Sequence, residues 1–160
     1  MRKYVWLGIL GVLMVASTAI TFSSPIQDAQ AATNPYTPQE ACNHQFGGSW
    51  SSTSDGHRSV VTLNGVKWGD VYLMYNSATG YNCVTTIKSV YVGTSSDTDA
   101  RLSIQGEPNL FQHEDFDSYK YYAATQGYAA GTCVQYDGGM YNPSYTDSAE
   151  GARHTWGNCR

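Results

Sequence analysis

Charge is scarce in this chain. Asp, Glu, Lys and Arg supply 14% of its 160 residues, where a typical soluble domain carries about 25%. The formal net charge is −4 and stays negative when the N-terminal stretch holding Arg2, Lys3 and Asp28 is set aside. Few cations and a negative balance repel phosphate backbones, which argues against nucleic-acid binding. Catalytic motifs are lacking as well. No Gly-x-Ser-x-Gly elbow and no His-Glu-x-x-His pair occurs, so neither the common α/β serine hydrolase nor a zinc protease is indicated. Helical periodicity is nearly absent, no internal repeat or linker is evident, and the one long apolar run is confined to residues 5–20.

What is present begins with that run. Arg2 and Lys3 precede it, and Ala29-Gln30-Ala31 offers small residues at the two positions a signal peptidase reads. The pattern predicts a signal peptide over residues 1–31, cleaved before Ala32, and a single secreted β domain over residues 32–160. The run is shorter than the ~20 residues needed to cross a bilayer, so no membrane attachment is expected after cleavage. A domain of this size buries roughly two thirds of its unfolded surface and can build a true core.

Cys42, Cys83, Cys133 and Cys159 all lie beyond the signal. An even count in an exported chain predicts two disulfides. Neighbouring cysteines are tens of residues apart, unlike the short spacings of structural zinc sites, so neither a metal nor a cofactor is expected. Four cysteines allow three pairings. The expected one joins Cys42 to Cys159, tying the ends of the domain together, and Cys83 to Cys133, stapling two strands.

Thr37-Pro38-Gln39-Glu40 has a capping hydroxyl, a proline at the first helical position and a glutamate at the third, which predicts a short helical turn running into Cys42. Residues 47–56, mostly small and polar around Trp50, read as a loop. Residues 59–63 read as a strand, and Asn64-Gly65 is a strong hairpin signal because both central positions of the turn take positive φ. In the returning strand, residues 66–75, Val71, Leu73 and Tyr75 share one face and Tyr72 and Met74 the other, so both faces are expected to be covered. Residues 76–80 form a turn, and residues 81–92 a strand with Cys83 and Ile87 on its buried side. Further strands are expected over residues 101–105, 119–125, 128–137 and 153–156. The remainder reads as exposed loop: residues 93–99, the acidic excursion 106–117, a turn at Gly138-Gly139 and residues 140–150. Short strands at this spacing predict an all-β fold, a small antiparallel sandwich or barrel.

The segment GDVYLMYNSATGYNCVTTI, residues 69–87, resembles the signature hairpin of the spore-associated protein A family, small exported proteins of actinomycetes. Residues 119–139, with Tyr128-Ala129-Ala130-Gly131-Thr132-Cys133-Val134 ahead of Gly138-Gly139, are similar to that family's second half, and Cys42 and Cys159 match its cysteines near each end. The resemblance implies a secreted protein associated with spores or aerial hyphae, with no established catalytic role and no catalytic residues to transfer.

His44, His57, His113 and His154 are scattered through expected loops and strand ends and read as ordinary hydrogen-bonded histidines, since catalysis needs convergence. Glu107, Glu114, Asp115 and Asp117, like Asp97 and Asp99, match no calcium-loop spacing and read as solvated charge. The 13 tyrosines are the most suggestive feature, because flat rings stack on sugar faces or anchor an interface at low entropic cost. Tyr119, Tyr121, Tyr136 and Trp156 are the ligand-binding candidates. The expected function is a noncatalytic, secreted surface protein whose partner is a cell-wall or spore-surface polymer or protein. A carbohydrate- or protein-binding module, including a protease inhibitor, is the alternative, and a small extracellular hydrolase comes last.

Overall fold

A computed structural model describes residues 32–159; the signal-peptide reading falls outside the described residues. The chain forms helix α1 (Pro38–Phe46) and strands β1 (Ser51–Thr62), β2 (Lys67–Asn76), β3 (Tyr81–Lys88), β4 (Ser96–Ile104), β5 (His113–Tyr119), β6 (Tyr122–Tyr128), β7 (Val134–Tyr141) and β8 (Ser148–Gly157). The hairpin between β1 and β2 turns at residues 62–65, where the Gly65 N–H donates to Thr62 O at 2.9 Å; Leu63 and Asn64 are therefore the central pair, and Gly65 alone of the expected pair Asn64-Gly65 takes positive φ, 77°. All strand pairs are antiparallel, in the order β5-β4-β7-β8-β1-β2-β3-β6.

The outermost strands, β5 and β6, are consecutive in the chain and pack together, so the sheet almost closes on itself as a barrel. A side chain helps bridge the seam: Asp115 on β5 accepts the Ala124 N–H of β6 at 2.8 Å. Closure matters because an unpaired strand edge is a template for aggregation. The expected all-β antiparallel architecture with two disulfides is thus what the chain builds.

The barrel is filled by Val60, Val71, Leu73, Val84, Leu102 and Met140, with Tyr136 and Val134 between them. Each such side chain contributes about 1.5–3 kcal/mol by leaving water. A second cluster lies outside the barrel wall, where α1 covers β2, β3 and β6. Cys42, Trp50, Met74, Cys83 and Ala124 are buried there. Both faces of β2 are therefore covered, Leu73 inward and Met74 outward, as its unalternating pattern implied.

Several expectations are corrected. The disulfides are Cys42–Cys83 and Cys133–Cys159, not Cys42–Cys159 and Cys83–Cys133. Cys83 belongs to the outer cluster beneath α1, within reach of Cys42. Val134 pairs with Gly157, which brings Cys133 and Cys159 to the same end of the β7–β8 ladder. The interior face of β3 carries Val84, Thr86 and Lys88 rather than Cys83 and Ile87, although all five are buried. Gly138-Gly139 is no turn but lies within β7. Residues 113–117 of the acidic excursion belong to β5, and Trp50 is buried directly ahead of β1 instead of riding an open loop.

Lys88 is fully buried. Its Nζ donates to Thr94 O at 2.9 Å, Ser96 Oγ at 2.8 Å and Tyr119 O at 2.9 Å, so all three ammonium donors are used and β3, β4 and β5 are tied together. The partners are neutral, and burial pulls the pKa down to about 8. An unfolded lysine titrates near 10.4. Between those values the unfolded chain holds more protons, so this group's contribution to stability rises with pH. Urea unfolding is expected to show the wild type gaining about 2 kcal/mol between pH 7 and pH 9.5 relative to Lys88→Met. Above pH 10 both proteins should lose stability together, because burial holds the Tyr72, Tyr119, Tyr122 and Tyr136 hydroxyls above their ordinary range. Parallel curves for wild type and Lys88→Met below about pH 10 would contradict the prediction.

Candidate functional site

Two short pieces of chain build an aromatic cleft against the barrel wall. The first is the segment leading into α1. Asn34 Nδ2 donates to Lys88 O at 3.0 Å and Tyr121 O at 2.7 Å, and its Oδ1 accepts the Tyr36 N–H at 3.0 Å. The chain is thus pinned beside the end of β3. Thr37 then caps α1 in a full capping box with Glu40 and Pro38 in the first turn, which orients the helix. The Cys42–Cys83 bond bolts it to β3. The second piece is the link from β5 to β6, carrying Tyr119, Lys120, Tyr121 and Tyr122.

Tyr36 stands between these walls. Its ring meets Tyr122 edge-on at 4.9 Å between centroids, Tyr121 at 5.9 Å and His44 at 5.5 Å. His44 Nδ1 lies 2.6 Å from the Tyr122 hydroxyl. Tyr119 donates its hydroxyl proton to Asp115 Oδ1; burial first, and this bond second, push the hydroxyl well above the usual tyrosine range. It stays protonated and serves as a donor at any physiological pH. The cleft, completed by Gln45 and Lys120, holds about 250 Å³. That is just below the range of about 300–1,000 Å³ for small-molecule pockets.

Of the four aromatic candidates, Tyr119 and Tyr121 line this cleft. Tyr136 is fully buried in the barrel, with the Arg153 guanidinium 5.0 Å above its ring and its hydroxyl donating to Asp55 O at 3.0 Å; it has no face to offer a ligand. Trp156 is half-exposed near the end of β8, beside Leu110, Phe111, Gln135 and His154. Tyr36 escapes a reading of the sequence, and His44 reads there only as an ordinary hydrogen-bonded histidine. The one local hint is an aromatic directly before a helix cap, since such a residue is set against whatever the helix docks upon.

The other histidines each face a carboxylate: His57 lies 2.6 Å from Asp70, His113 3.2 Å from Glu107 and His154 3.3 Å from Asp137. Ser59, His57 and Asp70 do come together, but in the wrong order for nucleophilic catalysis. A serine nucleophile needs the imidazole between hydroxyl and carboxylate. Here the carboxylate is in the middle, accepting from Ser59 Oγ at 3.5 Å and pairing with Lys67 at 2.8 Å. Among the described residues, no helix is long and apolar enough to cross a membrane. No protein-family model matches the chain, and neither the curated proteins nor the solved structures give a significant match.

Proposed function

We propose that this chain is a noncatalytic exported protein that attaches to the cell or spore surface, and that the aromatic cleft is where it holds a wall polysaccharide. The observation that carries the reading is the gathering of Tyr36, Tyr119, Tyr121 and Tyr122 around one opening rimmed by His44, Asp115 and Lys120. Tyrosine rings present an apolar face and a polar hydroxyl, which suits a sugar ring with its C–H faces and peripheral hydroxyls. A partly open cleft suits an extended polymer better than a free small molecule. Two disulfides fit an oxidising compartment, and the resemblance to the spore-associated protein A family points to the same location.

The test is an NMR titration of the chain with soluble peptidoglycan or chitin oligosaccharides. Shifts are expected at Tyr36, Tyr121 and Lys120. Tyr121→Ala should weaken binding about tenfold, the loss of roughly 1.4 kcal/mol of ring contact, without moving the unfolding midpoint appreciably. Shifts confined to residues away from the cleft, or none at millimolar sugar, would contradict the assignment.

A further inference from the structure

A cluster of ionisable side chains lies on the outer face of β4, β7 and β8, apart from the cleft. Strand pairing sets Asp99 of β4, Gly139 of β7 and Glu150 of β8 in one row across the sheet. Arg101, Asp137 and Ala152 form the adjacent row. These residues alternate with core-facing Ala100, Tyr136, Met140 and Ala149, so their side chains point to the outer face. Gly139 and Ala152 leave the floor low. Glu150 and His154 stand on either side of Ala152 along β8 and converge with Asp137 above it. The ligand-capable atoms of Asp137, Glu150 and His154 lie within 4.8 Å of one another, and His154 Nε2 is 3.3 Å from Asp137 Oδ2.

Proximity of acids alone would mean little. The second observation is that Asp137, only 3% exposed at its side chain, has an Oδ1 without any hydrogen-bond partner, and buried Asp99 has an Oδ2 in the same condition. Both of these oxygens face Arg101, whereas the Asp137 oxygen beside His154 is Oδ2; a buried carboxylate with incomplete hydrogen bonding is costly, and a cation on the His154 side would offset that cost. Arg101 satisfies the two carboxylates only in part. Its Nε lies 2.7 Å from Glu114 and 3.4 Å from Asp99, and its guanidinium reaches Asp137 only at 3.7 Å. Glu150 makes no ion pair among the described residues.

We propose that Asp137, Glu150 and His154 form a binding site for a divalent metal ion of the Zn²⁺ class, with the outward coordination position open to solvent or to an anionic ligand group. One imidazole nitrogen and two carboxylate oxygens are a three-donor set that Zn²⁺ accepts at about 2.0–2.2 Å. Ca²⁺ takes six to eight oxygens, whereas the converging set here includes an imidazole nitrogen, which Zn²⁺ accepts and Ca²⁺ does not favour. Glu150 and His154 are exposed and can swing inward, while buried Asp137 is the fixed ligand. The site is independent of the cleft.

The experiment is calorimetric titration of the purified, chelator-stripped chain with ZnCl₂ at pH 7.5. One site per chain in the micromolar range is expected. Glu150→Gln and His154→Ala, both at exposed positions, should each weaken it at least tenfold. Zn²⁺ should raise the unfolding midpoint of the wild type but not of His154→Ala, since a ligand that binds only the native state stabilises it. CaCl₂ and MgCl₂ should give no comparable binding. No saturable binding by 1 mM Zn²⁺ would overturn the proposal. So would binding that both variants leave unchanged, which would assign it to His44, His57 or His113, and so would Ca²⁺ binding as tightly as Zn²⁺.

Discussion

Replacing Cys42 and Cys83 together by alanine is expected to cost about 4 kcal/mol. The bond closes a segment with a sequence separation of 41, and fixing a loop of that length removes chain entropy worth about this much from the unfolded state. Both residues are fully buried. The consequences go beyond a lower midpoint. α1 has nine residues, too few to hold a helix alone in water, so its attachment to the barrel depends on the bolt and the outer apolar cluster. When it loosens, His44 and Tyr36 leave the cleft. The matching Cys133/Cys159 variant should lose a comparable 3–4 kcal/mol while keeping the cleft. Urea unfolding combined with oligosaccharide titration separates the two, because only the Cys42/Cys83 variant should lose ligand binding at temperatures where it is still folded. A cost below about 1 kcal/mol, or full binding without the Cys42–Cys83 bond, would contradict the role given to that bond.

Gly138→Ala is expected to destabilise the fold by about 3 kcal/mol, the upper end of the usual cost of overpacking. Gly138 faces the barrel interior on β7, where a Cβ would sit 1.9 Å from Thr86 Oγ1 and 2.9 Å from Val71 Cγ2. Thr86 cannot simply rotate away, since its Oγ1 donates to Asp99 O at 2.6 Å. The strain should therefore spread into β2 and β3. Thr86→Ala removes the clashing oxygen, so in that background Gly138→Ala should cost at least 1 kcal/mol less, a coupling that a double-mutant cycle reads directly. Additive effects would show that the close approach is not the cause.

That glycine also shows where the sequence could and could not be read. The β1–β2–β3 meander is legible in part because its signals are local: Asn64-Gly65 and residues 76–80 punctuate the strands, and the pattern of β2 betrays two covered faces, whereas the first half of β1, residues 51–56, reads as loop because it is small, polar and mostly exposed. Gly138-Gly139 carries the same local signal, yet it serves contacts made across the barrel to Thr86 and beside β4 to Asp99. Only the long-range packing distinguishes the two uses. The acids of residues 113–119 look like loop charge until Arg101, opposite Glu114 in the β4–β5 ladder, is seen to pair with it. The cysteine pairing is not legible, because sequence distance says nothing about which face of β3 Cys83 takes. In the cleft, Tyr119 and Tyr121 stood out as aromatics, whereas Tyr36 and His44 arrive only with the docking of α1. Asp137, Glu150 and His154 come from two strands, so no motif spacing announces them.

The most direct measurement of the proposed function is co-sedimentation of the purified chain with insoluble peptidoglycan, chitin and cellulose, run beside fractionation of a producing culture into medium, wall and spore material. The chain should pellet with at least one of the three polymers, Tyr36→Ala and Tyr121→Ala should shift it to the supernatant, and the culture should hold it in the wall or spore fraction. A chain that stays in the supernatant with all three polymers, or pellets equally well without those two rings, would contradict surface attachment through the cleft.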